Sequence, residues 1–156
     1  MGGITITTPH YVRIVPGQVL PDIASLAPFK AVVVLEAQYS QEWQTEVSRW
    51  LVACGCRYMM AWGPNCSDWD TSVDWADIEA RHFEHDDSKF VMTTCHENQT
   101  LEDVFWQAQF TANFSYDEVE LANAVILHVS VQSREVEFLY LFEESKTLAE
   151  REGDEA

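Results

Sequence analysis

Fifteen consecutive residues, Asn65–Glu79 (NCSDWDTSVDWADIE), hold five carboxylates and two tryptophans, and the triplet Cys95-His96-Glu97 follows further along the chain. Counted from Asp68, the segment runs D-W-D-T-S-V-D-W-A-D-I-E. Oxygen donors fall at loop positions one, three, five and seven (Asp68, Asp70, Ser72, Asp74), with Glu79 at twelve. An EF-hand loop wraps a hard divalent cation with this spacing. Val73 stands where that loop needs a glycine to turn, and a strand rather than a helix precedes it. A helix whose first turn carries acids toward its positive end therefore competes with a metal loop. The candidate metal ligands are Asp68, Asp70, Asp74 and Glu79. No cofactor is required by the sequence, and a divalent metal is the one it suggests.

Softer donors are also present. Cys66, Cys95 and His96, joined by Cys54 or Cys56, are zinc-ligand types. Cys54-Gly-Cys56 is CxC rather than CxxC and falls at the opposite end of the predicted sheet, which leaves Cys66, Cys95, His96 and nearby acids to converge. The same thiols could serve nucleophilic catalysis with a histidine base and an orienting acid. Neighbouring residues on a strand point to opposite faces, so Cys95 and His96 do not pair with each other. Cys66, His96 and Asp70 are the better catalytic set, with Glu36, Asp68, Asp74 and Glu97 completing a small hydrolytic rim. No GxSxG, GxGxxG or GxxxxGK[ST] motif is present. His128, inside an apolar strand, reads as a satisfied core histidine.

Binding is the competing chemistry. Asp68–Asp87 carries eight acids against Arg81, and the whole chain carries −17 at pH 7. Such a charge disfavours nucleic-acid backbones and anionic membranes and favours a basic partner. Trp69, with Asp68, Asp70, Asp74 and Glu97, would contact that partner; Trp75, in phase with Ile78 and His82, is expected to pack inward. With 156 residues, 47% hydrophobic, one folded domain is expected. No basic-then-apolar leader opens the sequence and the longest apolar run is Ala31–Leu35, so a cytoplasmic protein with reduced thiols is expected.

The elements that must position these residues follow from local pattern. Tyr11–Val15, Ala31–Leu35, Arg57–Trp62, Phe90–Thr94 and Ala124–Val131 read as strands, and Ala31–Leu35 (AVVVL) has the continuous apolar character of a strand buried on both faces. Pro21–Ala27 suggests a helical turn. Ser40 caps a helix over Gln41–Cys54 with Trp43, Val47, Trp50, Leu51 and Cys54 on one stripe, and Gly55 ends it. A helix over about Ser72–Phe83 follows a rim loop, and Thr100 caps another running to about Asn113. Strands alternating with helices predict an α/β fold: a single three-layer, Rossmann-like domain with a mostly parallel sheet of about four to five strands over residues 1–132. Residues 133–156 read as a C-terminal extension, a helix with an acidic tail. Ligands bind beyond the carboxyl ends of such strands, which selects Glu36–Ser40, Gly63–Asp74, Cys95–Asn98 and Ser130–Ser133.

Two blocks, YMMAWGPNCSDWDTSVDWA and FVMTTCHENQTLEDVFWQAQ, resemble an uncharacterised bacterial family of small acidic α/β proteins, a domain of unknown function. The matching positions are Tyr58–Gly63, Cys66-Ser67, Trp69-Asp70, Ser72–Trp75, Phe90–Thr94, His96-Glu97 and Val104–Trp106. Cys95 departs from the family pattern, which has tryptophan there. The resemblance runs from about His10 to Ser130. It implies a bacterial source and a functionally important rim, and no particular activity. The expectation carried forward is an acidic binding or regulatory protein that engages a basic partner at the rim after the Arg57–Trp62 strand. The alternative is a small hydrolase, with or without a divalent metal, at the same edge.

Overall fold

The computed structural model describes residues 8–83, 90–112 and 121–150. Among these, the chain forms β1 (His10–Ile14), a 3-10 turn (Ala24–Leu26), β2 (Phe29–Leu35), α1 (Gln41–Ala53), β3 (Cys56–Trp62), α2 (Cys66–Ala80), β4 (Met92–His96), α3 (Leu101–Phe110), β5 (Asn123–Val129) and α4 (Glu135–Ser145). The five strands form one sheet in the order β1-β5-β2-β3-β4, and every neighbouring pair is parallel. The protein is thus an α/β domain of three layers.

The period-two pleat divides the core in two. Phe29, Ala31, Val33 and Leu35 of β2 face Trp43, Val47 and Leu51 of α1 and Trp69 and Val73 of α2. Val32 and Val34 face Val104 and Phe105 of α3 and Phe138 and Phe142 of α4. Both faces of β2 are covered, which is why its sequence does not alternate. Ser40 Oγ accepts the Trp43 amide at 3.2 Å and Thr100 Oγ1 accepts the Asp103 amide at 3.0 Å, capping α1 and α3.

Two elements differ from expectation. The segment expected as a rim loop is helical from Cys66 onward. Asn65 adopts the left-handed conformation (φ 62°) and turns the chain sharply into the helix. Trp69, Val73 and Ala76 then bury along one stripe, and that burial outweighs the polar, loop-like composition. The second difference is Glu135–Ser145. It is a helix, as its pattern suggested, but not an appendage: Phe138 and Phe142 are fully buried in the core, and Gln109 of α3 donates to the Phe142 carbonyl (3.1 Å) and Ser145 Oγ (2.7 Å). Residues 151–156 of the expected acidic tail lie outside the described residues.

The strand order also places the switch point. From β2 the chain steps outward through β3 to β4, and α3 then returns it to β5 on the other side of β2. Connections leave the β2/β5 crevice in opposite directions, the location where doubly wound sheets hold ligands.

Candidate functional site

Helix α2 presents different residues to three surroundings. Toward the core go Trp69 (6% exposed), which meets Trp43 edge-on at 6.1 Å, and Val73. Toward edge strand β4 go Asp70, Asp74 and Asp77. Thr93 Oγ1 reaches both Asp70 Oδ1 and Asp74 Oδ1, the latter at 2.6 Å. Partial burial pushes the Asp74 carboxyl up; the Thr93 hydrogen bond opposes this and the charges of Asp70 and Asp77 reinforce it. Asp77, 2% exposed, accepts from Arg81 Nε at 3.2 Å and from the Val91 amide at 3.2 Å. Toward α1 go Asp68, Ser72, Trp75 and Glu79, which line a shared groove.

This arrangement separates the expected metal ligands. Asp70 and Asp74 face β4, whereas Asp68 and Glu79 face α1, because oxygens that alternate in a loop spiral apart on a helix. Among the described residues no group of three or more His, Cys, Asp and Glu side chains could hold a metal ion.

The expected catalytic set is separated as well. Cys66 opens α2 and is completely buried, on the sheet face that α1 and α2 cover. His96 lies beside Trp62 in the β3–β4 register and turns to the opposite face. Its Nε2 meets Thr94 Oγ1 at 2.8 Å and its Nδ1 is paired with Gln99 Oε1. The pleat therefore keeps His96 from both Cys66 and Asp70. Glu97 is exposed just beyond β4.

The tryptophans exchange roles. Trp69, expected at a contact surface, is core. Trp75, expected inside, is 56% exposed. With the helix starting at Cys66, the buried stripe is 66-69-73-76 rather than 75-78-82, and Trp75 falls outside it.

At the β2/β5 switch point the protein's own side chains occupy the crevice. His128 Nε2 faces a Glu36 carboxylate oxygen, which only accepts, so in the neutral ring Nδ1 is the acceptor; the Tyr11 hydroxyl donates to it (2.6 Å) while accepting the Arg134 backbone amide (3.0 Å). The imidazole proton then sits on Nε2, which donates to Glu36 Oε1 at 2.5 Å. Arg134 closes the circuit on the other oxygen of Glu36 and also pairs with Glu137. Burial lowers the pKa of His128 below the ordinary imidazole value, against the opposing pull of Glu36. Every polar atom of this clip has a partner, so it fastens the start of α4 to the sheet. His128 is the satisfied histidine expected from its apolar strand. Tyr11 and Arg134 were not anticipated, since strand order is invisible in the sequence and residue 134 read as part of an extension.

An open concavity lies elsewhere. Between α1 and α2 runs a groove of about 540 Å³. On its floor, Gln44 Nε2 donates to the Asp68 carbonyl (3.0 Å) and to Ser72 Oγ (2.6 Å). Arg49 and Glu79 pair across one end at 3.2 Å. Asp68 lies toward the other end, and Trp75 and Tyr39 supply aromatic walls. On these two helices Glu42, Glu46, Asp68, Asp70, Asp74 and Glu79 all reach solvent. The basic side chains there are Arg49 and the Asp77-paired Arg81. The acidic character was legible in the sequence; the contribution of α1 was not, because it depends on how the helices pack. No described helix is long and apolar enough to cross a membrane.

Neither a curated protein nor a solved structure matches the chain. A family model does match, over residues 9–145, which spans every element from β1 to α4. The chain belongs to the family described as a domain of unknown function, DUF7684.

Proposed function

We propose that the protein is a binding or regulatory protein that holds a basic, extended segment of a partner protein along the α1–α2 groove. One observation carries this proposal: an exposed tryptophan, Trp75, walls an open groove of about 540 Å³ whose charged lining is Asp68 toward one end and the Arg49–Glu79 pair at the other. Asp68 and Glu79 are eleven residues apart on α2, a rise of about 16 Å, which about five residues of extended chain would span. A lysine or arginine over the Trp75 face gains a cation–π contact. The Arg49–Glu79 pair, with side chains 60% and 43% exposed, is a weak surface pair and yields readily to an incoming cation. The same carboxylates disfavour a polyanionic ligand. A reducing compartment such as the cytoplasm suits the four unpaired thiols.

The test is a calorimetric titration with a lysine/arginine-rich peptide, using wild type, Trp75→Ala, Asp68→Lys and Glu79→Lys. Affinity is expected to fall steeply as salt rises from 50 to 300 mM (on the order of the screening expected for exposed charges). Each substitution is expected to weaken binding about five-fold or more. Binding that none of the three changes would place the contact elsewhere and overturn the proposal.

A further inference from the structure

Across the α2–β4 interface the hydrogen bonds form a ladder. Asp77 Oδ2 accepts from the Val91 amide at 3.2 Å, and Asp70 and Asp74 accept from the Thr93 hydroxyl. Helix α2 runs antiparallel to β4, as a right-handed crossover between parallel strands requires. Two residues along a strand advance about 6.6 Å, and four residues along a helix about 6 Å. Counted from Asp70, the partner of Thr93 nearer the start of the helix, one further rung of four residues sets Cys95 beside Cys66. Cys95 points the same way as Thr93, toward α2, and is exposed, while Cys66 is buried.

We propose that Cys66 and Cys95 are a redox-active dithiol that closes to an intramolecular disulfide when the protein meets a peroxide. The exposed Cys95 sulfur attacks the peroxide O–O bond. That bond breaks, one oxygen stays on sulfur as a sulfenic acid, and the other leaves as water with the Cys95 proton. Cys66 sulfur then attacks Cys95 sulfur. The S–S bond forms, the S–O bond breaks, and a second water leaves with the Cys66 proton. Two thiols lose two electrons and one peroxide becomes two waters. The product would tie the first turn of α2 to the edge strand. The Cys95 thiol is raised, first by partial burial and then by Cys66, Asp70 and Glu97. The proximity of Cys66 among these causes agrees with the ladder. The raised thiol makes the reaction slow at neutral pH and faster by about tenfold per pH unit until it titrates. The Cys54–Cys56 pair, at the other end of the sheet, is a poor competitor: both its thiols are buried, and burial pushes Cys56 up to about 12.

The reduced full-length protein is treated with hydrogen peroxide, quenched by alkylation and mapped by non-reducing peptide mass spectrometry. The expected result is a Cys66–Cys95 cross-linked peptide that has lost two hydrogens, with Cys54 and Cys56 still alkylated. In Cys66→Ser the expected product is a sulfenic acid at Cys95, trapped by dimedone. In Cys95→Ser, which alters an exposed position, Cys66 is expected to remain reduced. Cross-linking of Cys54 to Cys56, disulfide dimers through Cys95, or over-oxidation of Cys95 beside a reduced Cys66 in wild type would each overturn the proposal.

Discussion

The placement of α2 rests on which tryptophan faces inward, and truncation separates the alternatives. Trp69 and Trp75 are six residues apart, about 120° around the helix axis, so a rotation that exposed one would bury the other. Trp69 is 6% exposed, packs with Val73 in the core, and meets Trp43 at 6.1 Å. A buried tryptophan removes roughly 150–250 Å² from water, worth about 4–6 kcal/mol at ~25 cal/mol per Å², which is an upper bound because the unfolded chain is partly collapsed. Trp69→Ala should therefore cost about 3–5 kcal/mol, a large share of the roughly 5–15 kcal/mol that stabilises a domain. Trp75, 56% exposed, should cost within about 0.5 kcal/mol as alanine. Urea unfolding followed by far-ultraviolet circular dichroism measures both, and Trp69→Phe supplies a milder variant if the alanine form does not fold. Equal losses, or a larger loss from Trp75→Ala, would mean that α2 is rotated. That result would remove the aromatic wall from the groove and Cys66 from its place opposite Cys95.

Three further outcomes follow from local geometry. Gly63 has φ 113° and a Cβ there would lie 2.5 Å from the Leu35 carbonyl oxygen; Gly63→Ala should cost about 2–3 kcal/mol in a denaturant melt, whereas a near-neutral result would contradict the β3–α2 turn. Asp77→Ala leaves the buried Val91 amide without its carboxylate and should cost about 2–4 kcal/mol, detectable as faster amide exchange at Val91. Because the folded state lowers the pKa of His128 below its ordinary 6.5, the unfolded chain binds the proton more readily, and this group's contribution to stability falls as pH drops through about 6.5 and below. Unfolding midpoints from pH 7.5 to 5.5 should decline more steeply in wild type than in His128→Gln, and parallel slopes would exclude a neutral buried imidazole.

What could be read from the sequence was what local pattern controls. The AVVVL run, the Ser40 and Thr100 caps and the apolar stripe from Trp43 placed β2, α1 and α3 within a few residues of their observed bounds. The parallel α/β architecture followed from alternation. The start of α2 was hidden because Asn65–Asp70 combines cap, turn and helix residues, and only tertiary burial of Cys66 and Trp69 selects the helix. That error reversed the two tryptophans and suggested an alternating set of metal ligands that a helix disperses. Pairing Cys66 with His96 failed for another reason. Both lie near the carboxyl edge of the sheet, but β4 runs on to His96 instead of ending at Thr94, so the pleat fixes His96 on the face away from Cys66. The clip of Tyr11, Glu36, His128 and Arg134 required the strand order, a long-range property that no local pattern encodes.

The most direct test of the groove is a ¹⁵N heteronuclear NMR titration of the full-length protein with a lysine/arginine-rich peptide at low salt, followed through the Trp75 indole N–H and the backbone amides. If α1 and α2 form the binding groove, saturable shifts will concentrate at Gln41–Arg49, Asp68–Glu79 and the Trp75 indole, and Trp75→Ala will weaken them. Shifts spread evenly over the acidic surface, with the Trp75 indole unmoved, would show that the peptide reads net charge alone and would contradict a binding site between these helices.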